Sequence, residues 1–301
     1  MRILVLGTAA GGGFPQWNCG CPTCLLARKG EGAARARTND SLAVSDDGEA
    51  WYLINATPDV CAQIESAPQL HPRSVRGTPI AGVLLTDAEL DHTVGLLSLR
   101  QGTQLDVYAS LPVLEALAGA FPVRRIVEPY ADFRWRAAMP RESFPLFGGN
   151  LIVVPFSLGR KPPRYASGGR EEEEAPWVIG YRIEDARTGG AVVYASGIEE
   201  WTEELDRQTA NADCVFADGT FWRGDELRGL GVSERTAAEM GHLPIAGPGG
   251  SLERLARLPA KRKIYIHVNN TNPILHESSA ERRRLEEKGI EIGFDGMELE
   301  V

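Results

Sequence analysis

Four metal-binding side chains crowd into six residues of this chain: Asp87, Glu89, Asp91 and His92. They follow the apolar run Ala81 to Leu85 and precede Thr93-Val94-Gly95-Leu96, so the stretch reads as a buried strand passing through a loop into a helix. Acidic side chains at the end of a buried strand cost free energy unless they are paired or bound to a cation. Alternate residues leaving a strand end can converge on one ion. The plainer alternative is an N-cap cluster, with Asp91 capping a helix that begins near Thr93.

The rest of the composition fits a folded enzyme. The 301 residues are 43% hydrophobic and 24% charged, and the length suits one large α/β domain or two small ones. A net charge of −9 opposes phosphate-driven binding, so no nucleic-acid partner is expected. The apolar run after Arg2 is too short for a signal peptide. No segment approaches the ~18 apolar residues of a membrane span, so a cytoplasmic protein without membrane insertion is expected.

Strands are predicted at Arg2–Gly7, Ser41–Val44, Trp51–Ile54, Ala81–Leu85, Asp106–Ala109, Trp177–Ile183, Ala191–Ala195, Cys214–Ala217, Lys263–His267 and Ile290–Ile292. Asp46-Asp47-Gly48 and Thr188-Gly189-Gly190 read as hairpin turns. Helices are predicted from Thr57 (as N-cap) through about Glu65, and at Pro112–Ala120, Glu199–Thr209, Ser233–Met240, Ser251–Leu258 and Ser279–Lys288. Pro162 to Glu174 has no apolar period and ends in an acidic run; it reads as a solvated loop, with a lid over the active site as the alternative. Hairpins early and strand–helix alternation later are consistent with two sheets packed face to face with helices outside. Gly11-Gly12-Gly13 lacks the spacing of a dinucleotide loop and reads as close backbone packing.

The chain has five histidines, and none lies between His92 and His242. A mononuclear site can be built from His92, His267 and one or more of Asp87, Asp91 and Asp218. Two imidazoles and a carboxylate with open positions form the facial arrangement of non-haem iron(II) oxygenases, and zinc accepts the same donors. His267 ends an apolar strand before Val268-Asn269-Asn270, and Asp218 ends another before Gly219-Thr220. Their plainer readings are a hydrogen-bonded buried imidazole and a turn cap. His242, in Met240-Gly241-His242, reads as a substrate-facing acid/base or as a solvent-facing loop residue.

Cys19, Cys21 and Cys24 form C-x-C-x-x-C, while Cys61 and Cys214 stand alone. Bunched thiolates in a cytosolic setting point to a structural zinc knuckle rather than a disulfide framework. Three sulfurs leave a fourth position to fill.

The first motif resembles the T-H-x-H-x-D-H-x-x-G-L signature of the metallo-β-lactamase superfamily, with Asp87 and Glu89 where its first two histidines stand. A two-zinc site of the usual superfamily kind needs about five histidines by itself, as many as the whole chain has, and its mid-chain ligand is missing here, so this chain is not expected to build it. Further stretches closely resemble the coenzyme PQQ synthesis protein B family: Gly7 to Cys19, Asn55-Ala56-Thr57-Pro58-Asp59, Asp91 to Arg100, Asp218 to Trp222, Met240-Gly241-His242, Gly247-Pro248-Gly249-Gly250 and His267 to Leu275. They span nearly the whole chain. The resemblance implies an α/β fold (α+β by strand order), a metallo-β-lactamase-like αββα sandwich forming one domain over residues 1–301 with the knuckle at 19–24.

It also implies a role in making pyrroloquinoline quinone (PQQ) from a cross-linked Glu and Tyr. The expected activity is iron-dependent hydroxylation of the tyrosine ring of a small or short-peptide-derived precursor. A non-catalytic carrier or transport factor for PQQ or its precursor is the rival. A hydrolase of ordinary superfamily type is disfavoured by the missing ligands. Expected cofactors are a structural zinc and an active-site iron(II), with zinc as the alternative metal; other proteins of the pathway are candidate partners. Arg100 and His242 are candidates for holding substrate carboxylates or moving protons. The related cyclic phosphodiesterase of phosphonate metabolism closes a similar knuckle with a His. Asn270 occupies that position here, which leaves Asn270, another His or water as the fourth zinc ligand.

Overall fold

In a computed structural model, which describes all residues except 31, 102–103 and 168–174, two seven-stranded sheets pack face to face. The first is built from β1 (Arg2–Gly7), β2 (Ser41–Ser45), β3 (Trp51–Ile54), β4 (Ile80–Leu84), β5 (Gln104–Ala109), β6 (Asp132–Ala137) and, from the far end of the chain, Glu298–Glu300. The second contains β7 (Phe144–Leu146), β8 (Leu151–Gly159), β9 (Val178–Asp185), β10 (Ala191–Ala195), β11 (Cys214–Asp218), β12 (Arg262–Ile266) and β13 (Glu291–Ile292). The last strand, β14 (Glu298–Glu300), pairs antiparallel with β1 and closes that edge.

Strand alternation explains the layers. In β1, Ile3 and Val5 enter the core between the sheets, with Leu42, Ile54, Tyr181, Tyr194 and Phe216. Leu4 and Leu6 point outward and pack with Leu53, Val83, Val107, Val113 and Leu117 beneath the first helical layer. On the other side Val193, Val215 and Tyr265 pack against Leu205, Leu252, Leu255 and Leu285. Helix, sheet, sheet, helix is the resulting order. Each fully buried aliphatic side chain contributes about 1.5–3 kcal/mol, so these three clusters hold the layers together.

Within each sheet the strands turn parallel on one side: β3–β4–β5–β6 in the first and β10–β11–β12–β13 in the second. Ligands in open α/β sheets gather outside the carboxyl ends of such strands. Leu84, Asp218 and Ile266 are those ends here.

Most of the predicted elements form within a residue or two of the expected bounds, and the differences have local causes. The helix expected from Thr57 begins at Val60. Thr57 Oγ1 accepts from Asp59 N at 3.2 Å, while the Asp59 carboxylate turns away to accept from Asn39 N at 2.9 Å. The helix expected at Glu199–Thr209 is confined to Glu203–Thr209, capped by Thr202. Ser233–Met240 is not a helix; only Ala238–Met240 forms a short 3-10 turn. There Ser233 and Thr236 hydroxyls take the backbone N–H groups of Arg235 and Glu239, the local competition that keeps such residues out of helices.

Strands β6, β7, β8 and β14 were not expected. Pro155 interrupts the strand signal of β8, yet it lies beyond the register of the three-residue β7, where no neighbour needs its missing N–H. Of the solvated stretch, Arg164–Ala166 forms a 3-10 turn, and Tyr165 donates its hydroxyl proton to the Ala88 carbonyl. The acidic run lies outside the described residues. Among the described residues no helix is long and apolar enough to cross a membrane.

Candidate metal centre

The chain leaves β4 through Leu85 and Thr86 and turns at once on the Asp87 carboxylate. Asp87 Oδ1 accepts from Glu89 N at 2.8 Å, which bends the backbone into a short helix at Leu90–Thr93. Asp87 Oδ2 accepts from His92 Nδ1 and from Thr86 Oγ1, both at 2.7 Å. Gly95 lets this turn lie flat on the Thr57 loop, since a Cβ there would sit 2.2 Å from the Thr57 carbonyl. The His92 ring is thereby buried and fixed, with Nε2 turned toward the second sheet.

From the second sheet come Asp218, at the end of β11, and His267, just past β12. His267 has a φ of 53°, a left-handed conformation that β12 and the following loop impose. Its Nδ1 lies 2.7 Å from Thr220 Oγ1, which donates its proton to Asp218 Oδ1 at 2.5 Å. Asp218 Oδ1 also accepts from Thr220 N, and its Oδ2 accepts from Ile198 N at 2.9 Å and His242 Nδ1 at 2.7 Å. The His242 and His267 rings stack at 5.4 Å.

Asp91 Oδ2 stands 3.6 Å from His92 Nε2 and 3.7 Å from His267 Nε2. One ion could touch all three. A second group, Asp218, His242 and His267, shares His267 with the first. Asp218, however, already accepts four hydrogen bonds, so it serves more readily to hold His242 and Thr220 than to bind an ion. His92 Nε2 is buried with no hydrogen-bond partner, and its Nδ1 proton is committed to Asp87. A carboxylate behind a histidine in this way sets the tautomer that leaves Nε2 free for a metal. The donor set therefore fits a cation at Asp91, His92 and His267.

The electrostatics agree. Burial opposes a charge on His92, but Asp87 and Asp91 outweigh it and raise its pKa to about 10. Burial likewise works against the carboxylates of Asp87, Asp91 and Asp218, yet the facing histidines hold all three below their ordinary pKa. A proton on His92 thus offsets the neighbouring carboxylates, and a bound cation that displaces it from Nε2 could take over that task.

Two of the expected site residues stand outside the grouped ligand atoms. Asp87 is not among the grouped ligand atoms, because both its oxygens are spent on Glu89, Thr86 and His92. It orients His92 instead. Arg100 is exposed and donates to the Leu97 carbonyl at 2.6 Å; the 3-10 turn at Val94–Leu97 carries it out of the cavity. His242 does line the cavity, a cleft of about 210 Å³ between the sheet ends that also exposes Asp91, His92, His267, Phe221 and Met240. Sequence reasoning missed Thr86 and Thr220. Their positions beside a strand-end aspartate were the available signal.

The three sulfurs of Cys19, Cys21 and Cys24 converge, and no His, Asp or Glu of the described residues joins that group. The Asn270 carboxamide faces them, with Nδ2 at 3.1 Å from Cys19 Sγ and 3.4 Å from Cys24 Sγ. Thr23 Oγ1 donates to the backbone carbonyl of Asn270 at 2.5 Å. Thr23 hydrogen bonding lowers the Cys21 pKa although burial raises it, whereas burial pushes the Cys24 thiol up to about 11. Asn270 is three residues from His267, so its contacts with the cysteines brace the loop that carries His267.

Residues 50–268 match the β-lactamase superfamily domain. The coenzyme PQQ synthesis protein B of Cupriavidus taiwanensis is 48% identical, over 99% of this chain and 98% of that protein. The chain belongs to the coenzyme PQQ synthesis protein B family. The Pseudomonas savastanoi pv. phaseolicola member of the family is 44% identical over the full length of both proteins. The crystal structure of Zn(2+)-bound PqqB from Methylobacterium extorquens superposes with a TM-score of 0.92 at 38% identity, covering all of both chains. A diphosphatase of the PhnP family shares the fold, with a TM-score of 0.70 at 20% identity over all of this chain and 97% of the other.

Proposed function

We propose that this chain is a metal-dependent oxygenase of PQQ biosynthesis that hydroxylates the tyrosine ring of a precursor derived from a cross-linked Glu and Tyr. Its relatives, named for coenzyme PQQ synthesis and up to 48% identical along the whole chain, supply the pathway. The observation that carries the metal is the orphaned, buried Nε2 of His92 facing His267 and Asp91. The zinc-bound relative supports a bound cation in this chain as well. We read residues 1–301 as one domain, since β14 pairs with β1 and one core joins the sheets.

Asp91, His92 and His267 would hold the metal, and iron(II) there would supply the capacity to use dioxygen. Asp87 and Thr220 keep the two imidazoles turned toward it. His242, backed by Asp218, is placed to hold or move a proton at the phenolic oxygen of the ring. Phe221 and Met240 give the cavity an apolar wall suited to an aromatic group. In the overall reaction one oxygen atom of O2 enters the ring and the other leaves as water. The two electrons come from an added reductant such as ascorbate. Cys19, Cys21 and Cys24 would hold a structural zinc, with the Asn270 carboxamide beside the position left for a fourth ligand.

The test is oxygen uptake by metal-stripped, iron(II)-reloaded protein given a Glu–Tyr-derived precursor, alongside metal content. His92→Ala and His267→Ala should each lose the second metal and the oxygen uptake while keeping the knuckle zinc. Tight precursor binding with no oxygen uptake under any metal would favour the carrier reading. Full metal stoichiometry in both variants would refute the ligand assignment.

A further inference from the structure

One cation in the cavity is left unused by the metal centre. Lys161, just past β8, lines the same cleft as His92, His242 and His267, and it is the one Lys or Arg among the described lining residues. It is half-buried and held in place at two points. Its Nζ donates to the Glu239 carbonyl at 2.7 Å, which leaves two of its three N–H groups free. Its aliphatic stem lies against Gly241, where a Cβ would meet Lys161 Cδ at 3.2 Å. Gly241 has a φ of 84° and immediately precedes His242, so the same turn positions the lysine stem and the imidazole.

The charge balance of the cavity gives this lysine a task. Glu89, Asp91 and Glu199 line the same walls. The whole chain carries a net charge of −9. An aromatic polycarboxylate entering this acid-rich cleft meets repulsion on most sides, and a cation fixed on the wall is what offsets it. Burial and neighbouring Arg235 lower the Lys161 pKa, while Glu89 and Glu199 raise it, so the group lies within the field of both signs. Arg100, the arginine expected from sequence to hold substrate carboxylates, points away.

We propose that Lys161 is the carboxylate anchor of the cavity, holding an acid group of an aromatic polycarboxylate while the ring faces Asp91, His92 and His267. This rests on the PQQ reading above and names the residue that selects the substrate's charge.

The probe is PQQ itself, a tricarboxylate, titrated into the metal-loaded protein and followed by quenching of tryptophan fluorescence. PQQ trimethyl ester serves as the uncharged control. Lys161→Met keeps the apolar stem and removes the charge; Lys161→Arg keeps the charge. Losing a charge-assisted hydrogen bond should weaken PQQ binding by about tenfold or more in Lys161→Met. Lys161→Arg should retain most of the affinity, and the ester should bind both variants and the parent alike. Unchanged metal content and melting temperature in each variant show that the fold is intact. PQQ binding as tight in Lys161→Met as in the parent overturns the anchor and leaves the PQQ reading standing. A parent protein that binds neither PQQ nor the tyrosine-derived catechol L-DOPA overturns the PQQ reading, and the anchor with it.

Discussion

Replacing Asp87 by Asn isolates the residue that orients His92. The change is nearly isosteric, but it exchanges one acceptor for a donor in a place that offers only donors. Asp87 Oδ1 takes the Glu89 N–H at 2.8 Å, and Oδ2 takes both the Thr86 hydroxyl and the His92 Nδ1 proton at 2.7 Å. With Asn, the NH2 group must face either Glu89 N–H or His92 Nδ1–H. If it faces Glu89, a buried donor loses its partner, a cost of about 1–3 kcal/mol. If it faces His92, the ring must switch tautomer and place a proton on Nε2, where a metal ligand needs a lone pair. Either way metal affinity at Asp91, His92 and His267 should fall by about 10–100-fold, the usual cost of losing such a partner, or roughly 1.4–2.7 kcal/mol. Competition with a chromophoric chelator measures this. The zinc in the cysteine knuckle provides an internal control that should not change. A variant that holds the active-site metal as tightly as the parent would refute the orienting role of Asp87.

Cys21→Ser should remove the knuckle zinc and lower the melting temperature together, because structural zinc contributes folding free energy; a folded variant with undiminished zinc contradicts this. Glu226 supplies a pH test away from the metal. Burial raises its pKa to about 7, against hydrogen bonds from Thr271 and Trp222. Its unfolded value is near 4.5. Between those values the folded chain holds the extra proton, so stability should fall as pH rises through that window. Glu226→Gln should abolish that decline and be more stable than the parent by about 1–3 kcal/mol at pH ~8, while matching it at or below pH ~4, in urea titrations. Equal pH profiles for the two proteins would count against it.

Much of the site was legible because it rests on residue types that are costly anywhere else. Asp91, His92, Asp218 and His267 stand at the ends of apolar strands, and C-x-C-x-x-C has few other uses. What sequence could not separate was ligand from support: Asp87 and Asp91 are equivalent as letters, and only the hydrogen bonds from Glu89 and His92 show that Asp87 stands behind the histidine. Arg100 was misplaced because a 3-10 turn, not a continuing helix, follows Thr93 and turns it to solvent. Lys161 went unremarked because it begins an irregular stretch with no apolar period. In the fold, β8 was hidden by Pro155, and β6 by the alternation of exposed arginines; Arg134 and Arg136 are held there by Asp106 on the neighbouring strand. Such pairing is invisible until the strands are adjacent.

The most direct measurement is isotopic. Iron(II)-loaded protein, reductant and a Glu–Tyr-derived precursor are incubated under 18O2, and the product is weighed by mass spectrometry. The expected result is one 18O atom in the tyrosine ring, absent under nitrogen and absent in His92→Ala. A ring oxygen that comes from water, or a precursor recovered unchanged from fully iron-loaded protein, would contradict the oxygenase.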